Sequence, residues 1–425
     1  MRRIFFVTIL CLLACSSALW AADRVHIDIQ AREFKKLLVA MPAFLGPADL
    51  AAPVWDICAK DLAITGVFSL IDPAGYIDAG PMGEIRPGTL KDWTLIGADY
   101  VIAGSLARQG TLASFTVQVV ELSTTKILLN TTYTTDAATI YRAVHAFMDA
   151  MMKKTLGIDG MFSSKIVAIQ KVGEKKQLYS SWCDGTGGKP IKGGGDLILN
   201  PAWSPGGDKI AFVSYWKNNP DLYVLDLNTF KVNLISGLKG INSTPSFDHT
   251  GQKIACTLTK DGNPEIYLLD VQGKNSLRLT NSWATDTSPS LSSDGKQMVF
   301  CSSRAGTPQI YIMELSTKKV ERITFAGTYN TEPVFSPGGD LIAFTHLAED
   351  RRFHIAIIRP DGSKMKVLKG TSRGDEAPAF SPDGRLVAFS SSDGNIYITD
   401  IFDTMSVRIL SGGGFTEPSW SLVVK

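Results

Sequence analysis

The sequence lacks an excess of charge of either sign: 43 Lys and Arg stand against 41 Asp and Glu over 425 residues, and a leader containing Arg2 and Arg3 would leave 41 of each. Nucleic-acid affinity comes largely from neutralising phosphates, so the composition gives it no support. Long hydrophobic runs are also missing. Beyond residue 22 no stretch approaches eighteen unbroken apolar residues, so the mature chain is expected to be soluble, with no transmembrane segment. Histidine is scarce: His26, His145, His249, His346 and His354 form no H-E-x-x-H, and each is expected on a strand or turn rather than in a metal site. With 44% apolar residues, 20% charged, 38 Gly and 20 Pro, the chain is neither disordered nor collagenous, and its length suggests two to three domains.

Residues 1–22 (MRRIFFVTILCLLACSSALWAA) have the three-part order of a secretory leader: two arginines, an apolar run from Ile4 to Ala14, then small residues. At 1.5 Å per residue the run reaches about 17 Å of a roughly 30 Å hydrocarbon core, too little to span it. Leu12-Leu13-Ala14-Cys15 offers a rival reading as a lipobox. Soluble export is preferred because Leu13 fits that box poorly and no second anchoring signal is present.

The C-terminal three-fifths repeats. Six segments share one frame: Pro201-Ala-Trp-Ser-Pro-Gly-Gly, Pro245-Ser-Phe-Asp-His-Thr-Gly, Pro289-Ser-Leu-Ser-Ser-Asp-Gly, Pro333-Val-Phe-Ser-Pro-Gly-Gly, Pro378-Ala-Phe-Ser-Pro-Asp-Gly and Pro418-Ser-Trp-Ser, with proline steps of 44, 44, 44, 45 and 40. Each unit reads as four antiparallel strands with a glycine hairpin six residues after the proline, one blade of a propeller. The last unit has only its first strand. The missing three are found at Lys165-Ile-Val-Ala-Ile, Gln177-Leu-Tyr-Ser-Ser-Trp and Lys189-Pro-Ile, so a composite blade closes a ring of six. Cys256 follows its repeat proline by eleven residues and Cys301 by twelve, which places them on opposite faces of equivalent strands. Cys58, Cys183, Cys256 and Cys301, with no C-x-x-C among them, are expected as free, buried thiols.

Residues 23–160 carry no repeat. Val25 to Ile29 alternates as a strand does; further strands are expected at 37–44, 68–71, 100–106, 115–122 and 127–133, with helices at 47–65, 87–96 and 137–156. The expected architecture is therefore an N-terminal α/β domain, a connector at 157–163, and a six-bladed β-propeller over 163–425 closed by a composite blade.

No catalytic constellation emerges. Gly370-Thr-Ser372-Arg-Gly374 matches G-x-S-x-G, but a nucleophile elbow needs a strand before it and a helix after it, and here the next blade begins. Gly185-Thr-Gly-Gly-Lys189 lacks the spacing of a phosphate loop. The informative residues instead precede each repeat proline, where the chain enters the innermost strand at the channel mouth. Three residues before it stand Ile198, Asn242, Asp286, Asn330, Asp375 and Phe415; one before it stand Asn200, Thr244, Ser288, Glu332, Ala377 and Glu417. Such a ring can hydrogen-bond a peptide or a protein loop, and its acidic members could hold a cation; no cofactor is otherwise called for. Alternatively, these side chains only cap their own turns. The segment from Asp23 to Phe34 is a second candidate, as a strand added to a partner's sheet edge or paired within its own domain.

The leader, the α/β domain, the Pro-x-[WF]-S-P-[DG]-G units and the split sixth blade, taken in that order, resemble the TolB family of the periplasmic Tol-Pal system. The resemblance spans essentially the whole mature chain. It implies that the mouth binds the lipoprotein Pal around the second and third full repeats, at Ile241, Asn242, Thr244, Asp286 and Thr287. The wider ring adds Asn330, Glu332, Asp375 and Glu417. It further implies that the N-terminal segment (Asp23, Val25, Ile27, Ile29, Phe34) binds the C-terminal domain of TolA, that colicins exploit the same propeller face, and that such proteins serve envelope integrity and outer-membrane constriction at division. Two departures stand out: Ile241 occupies a position where family members can place histidine, and Asp248-His-Thr-Gly replaces Ser-Pro-Asp-Gly. A propeller-bearing peptidase and a propeller binding a small ligand or cation remain the alternatives, the former lacking both the length and the elbow of a hydrolase domain.

Overall fold

The computed structural model describes residues 36–77 and 80–421. In the N-terminal domain a five-stranded sheet, order β2-β1-β3-β4-β5, is built from β1 (Leu37–Ala40), β2 (Phe68–Leu70), β3 (Tyr100–Gln109), β4 (Leu112–Glu121) and β5 (Lys126–Asp136). The first three strands are parallel and the last two antiparallel. Helices α1 (Ala48–Ile64) and α3 (Tyr141–Leu156) pack on the sheet and on each other. The short α2 (Leu90–Leu95) continues a single 3-10 turn at Pro87–Thr89. Gly157 ends α3 in the left-handed conformation expected of a helix-stopping glycine. The strand expected at 25–29 lies outside the described residues.

The chain after α3 is packed rather than loose. Met161 and Phe162 are buried, and Asp149 on α3 accepts hydrogen bonds from the backbone of Phe162 and Ser163 and from the Ser163 hydroxyl. One apolar core runs from α1 and α3 through these residues into Ile166, Cys183, Leu386, Ile396 and Trp420 of the propeller.

Six four-stranded sheets follow. Five are continuous in sequence, at 198–236, 242–278, 286–322, 330–367 and 375–410. The sixth has the order Phe415–Trp420, β6 (Lys165–Val172), β7 (Lys175–Trp182), β8 (Lys189–Pro190). The last strand therefore closes the ring against β6, with Phe415 opposite Gln170 and Trp420 opposite Ile166. Its end is fastened by Trp420 Nε1 donating to Ser164 Oγ at 2.7 Å and by Ser421 N donating to Lys165 O at 2.8 Å. Second strands such as Lys209–Ser214 are buried on both faces because neighbouring blades cover them, which explains their unbroken apolar runs. The repeat glycines Gly207, Gly251, Gly295, Gly339 and Gly384 all have φ between 68° and 73°, as their hairpins require. Cys58, Cys183, Cys256 and Cys301 are free and buried.

Candidate functional site

Each innermost strand carries the same irregularity. In the second blade Ser243 pairs with Thr257 and Ser246 with Ala255, so Thr244 and Pro245 together face one residue; equivalent shifts occur in the other five blades. Proline has no N–H for the ladder, and a bulge accommodates this. The residue before each proline takes up the distortion: Asn200, Thr244, Ser288, Glu332, Ala377 and Glu417 all have φ between 48° and 55°. Left-handed backbone at a residue with a Cβ costs about 1–2 kcal/mol. The bulge turns these six side chains into a central channel of about 530 Å³, lined also by the six prolines.

Hydrogen bonds around this neck join neighbouring blades. Asn200 N donates to Glu417 Oε2 at 2.5 Å, Ser288 N to Thr244 Oγ1 at 3.3 Å, and Ala377 N to Glu332 Oε2 at 3.0 Å. Glu332 Oε2 also accepts from Thr345 Oγ1 at 2.8 Å, and Glu417 Oε2 from Asn200 Nδ2 at 3.2 Å. Burial pushes the Glu417 carboxyl up in pKa, against the hydrogen bonds from Asn200.

The residues three before the proline behave differently. Asn242, Asp286, Asn330 and Asp375 are fully buried, and Ile198 and Phe415 are apolar equivalents. Asn242 Nδ2 donates to the carbonyls of Pro220, Leu238 and Gly240. Asp286 accepts from Arg304 Nη2 at 2.6 Å, Asn330 Nδ2 donates to Gln309 Oε1 at 2.8 Å, and Asp375 accepts from the backbone N and Oγ1 of Thr371. These side chains hold the incoming connection to its blade: Asn242, Asn330 and Asp375 bond to groups within four residues, and Asp286 and Asn330 also reach Arg304 and Gln309, 18 and 21 positions away. The sequence places the two sets side by side, whereas the strand pleat and the bulge send one into the blade and the other into the channel. Of the other mouth residues, Thr287 is half-buried and Ile241 is 46% exposed.

What periodicity did not single out is an apolar rim. The second-to-third-strand loops and the connections entering each blade meet at the same end of the blades, since Tyr215 N donates to Leu197 O, Thr259 N to Ile241 O, Ser303 N to Thr285 O and Leu347 N to Tyr329 O. On these segments Trp216 is 58% exposed, Trp283 81% and Phe325 74%, beside Leu238, Ile241 and Tyr329. These aromatics lie in the connections outside the repeat frame, where the sequence carries no signal of exposure. The N-terminal domain occupies the opposite end, where Thr404 Oγ1 of the fifth blade's outer turn reaches Gly66 O and Trp420 meets Ser164.

Ser372 lies in the connection before strand Asp375–Phe380, with a strand rather than a helix following, and its carbonyl accepts from Arg352. Among the described residues, the one group of three His, Cys, Asp or Glu within ligand reach is not in the channel; it is Asp61, His145 and Asp184. His145 sits on α3, inside the helix expected at 137–156 and not on a strand or turn. Asp23, Val25, Ile27, Ile29 and Phe34 lie outside the described residues. No described helix is long and apolar enough to cross a membrane.

Fold and rim together define a six-bladed β-propeller scaffold carrying an α/β domain on the face away from its exposed aromatic mouth. The family model of the TolB beta propeller domain matches residues 152–424, and that of the TolB amino-terminal domain matches residues 25–126. The chain belongs to the TolB family. The Tol-Pal system protein TolB of Desulfotalea psychrophila is 30% identical over 234 residues, 53% of this chain and 51% of that protein, so the match spans about half the relative's length. The crystal structure of TolB from Acinetobacter baumannii superposes with a TM-score of 0.79 at 28% identity, over 91% of this chain and 96% of that one. A nidogen/laminin complex structure, at 10% identity and a TM-score of 0.52 over 62% of this chain, shares the fold alone.

Proposed function

We propose that this protein is a non-catalytic periplasmic adaptor of a Tol-Pal system, exported by its leader, which binds Pal at the channel mouth and the C-terminal domain of TolA through residues 23–34. In this role it links the inner and outer membranes for envelope integrity and constriction at division. The observation that carries the reading is the exposed apolar rim on the face away from the N-terminal domain; apolar surface of this kind marks a protein-binding site. Ile241 and Thr287 offer partner contacts there, and Thr244, Glu332 and Glu417 offer them to a segment that enters the channel. Asn242, Asp286, Asn330 and Asp375 serve the same site by fixing the connections that carry the rim. The test is titration of the mature protein with Pal and TolA from the same organism. Trp283→Ala is expected to weaken Pal binding about tenfold or more, and deletion of residues 23–34 to abolish TolA binding while leaving Pal binding intact or tighter. Pal binding unchanged by Trp283→Ala, or TolA binding unchanged by the deletion, would remove the corresponding site.

A further inference from the structure

Where the N-terminal domain meets the sixth blade, a fully buried histidine lies between carboxylates from both sides. His145 Nδ1, on α3, is 2.9 Å from Asp61 Oδ2 on α1. On the other side of the ring Nε2 is 3.1 Å from Thr186 Oγ1 and 3.6 Å from Asp184 Oδ1, both in the turn that follows β7. Thr186 Oγ1 itself donates to Asp184 Oδ1 at 2.7 Å, leaving its lone pair for a proton on Nε2. The Trp182 and Tyr141 rings stand 5.4 and 6.3 Å from the imidazole.

The ligand atoms are close enough to share a metal ion, but their directions forbid it. The carboxylates approach opposite ring nitrogens, whose lone pairs diverge in the ring plane, so an ion on one nitrogen cannot also take the carboxylate on the other. A doubly protonated imidazole satisfies both directions at once. Asp61 Oδ1 and Asp184 Oδ2 have no hydrogen-bond partner, so loss of the ring's charge would leave two buried carboxylates uncompensated.

We propose that protonated His145 is a clasp between the two domains, and that its deprotonation loosens the N-terminal domain from the sixth blade. The groups acting on it are Asp61 on α1, Asp149 and the Tyr141 ring on α3, and Asp184 and the Trp182 ring on the propeller; the Cys58 and Cys183 thiols lie near the same carboxylates. Burial pushes both thiols far up, so they stay neutral. Burial alone would lower the pKa of His145, but Asp61, Asp184 and Asp149 outweigh it and hold it above the ordinary imidazole range. Burial pushes Asp61 up to about 7, against the pull of His145. Both groups therefore bind more protons in the closed state than when exposed. The Asp61 share of the stabilisation is lost as pH rises to about 7; the His145 share is full below about 6.5 and is lost as pH rises through its raised value.

The experiment is a spin-label distance measurement on the full mature chain, with labels at Leu95→Cys on the N-terminal domain and Lys274→Cys on the second blade, both exposed positions. In the wild-type background a narrow distribution at about pH 5.5 is expected to shift and broaden at about pH 8.5. His145→Gln is expected to be broad at both. Asp184→Asn leaves the Asp61–His145 pair intact within the N-terminal domain and keeps the test decisive if His145→Gln does not fold; it is expected to lose most of the pH response. A wild-type distribution identical at the two pH values would overturn the clasp, as would either variant retaining the wild-type response.

Discussion

The six residues before the repeat prolines show how one backbone position can be uniform in conformation and varied in chemistry. All are left-handed, yet they are Asn, Thr, Ser, Glu, Ala and Glu. The cost of that backbone is offset in part by bonds to the next blade, and Glu417 is the clearest case because its carboxylate takes both the backbone N and the side chain of Asn200. Burial raises the Glu417 pKa, so the folded state holds the proton more tightly than the unfolded chain. The stability this gives is present at low pH and is lost as pH rises through the folded value. Glu417→Gln, which keeps an acceptor without the buried charge, is therefore expected to melt at or above the wild-type temperature at neutral pH and to flatten the pH dependence. Glu417→Ala, which leaves Asn200 N without its acceptor, is expected to cost about 1–2 kcal/mol. Melting curves of the three proteins across pH test both statements. At this scale the sequence was only half legible. It marked the positions beside the prolines, but Asp286 and Glu332 look interchangeable in a string, and only the pleat and the bulge of their respective strands send one to Arg304 and the other into the channel.

At the scale of elements the reading was far more complete. A period of about 44 residues with apolar second strands leaves few alternatives to stacked four-stranded sheets, and the proline-led fragment at the end has one set of partners, β6 to β8. Helix limits came within a residue or two for α1, whereas α2 and α3 each begin with a separate 3-10 turn, at Pro87–Thr89 and Ala137–Thr139, that spacing alone does not distinguish from helix. The closing strand carries the largest single mechanical role. Deletion of residues 415–425 would strip β6 of its ladder partner and expose Trp420's pocket at Ser164. The truncated chain is expected to aggregate or to melt well below the full chain, measured by gel filtration and calorimetry; an unchanged melting temperature would refute closure by this strand.

For the whole molecule, the two domains share a core rather than a tether. Met161, Phe162 and Ile166 pass from one to the other without leaving it, and the sixth and fifth blades contribute Cys183, Leu386 and Ile396. A chain of residues 163–425 alone would expose this surface, and is expected to associate or to melt below the intact protein, which sedimentation and calorimetry would show. The domain contact and the aromatic rim occupy opposite ends of the ring, so a partner at the mouth leaves the N-terminal domain free for another. The sequence by itself determined the repeat, the number of blades, the split sixth blade and the α/β composition, because each follows from short-range periodicity in which burial on a strand or helix is written residue by residue. Tertiary structure alone decided which polar residues meet. Asp61, His145 and Asp184 are separated by 84 and 39 positions, and no spacing rule predicts that an ion pair between two helices of one domain meets a carboxylate from the other. Likewise nothing in the sequence around Trp283 tells whether it is buried, and only the assembled blades leave it 81% exposed.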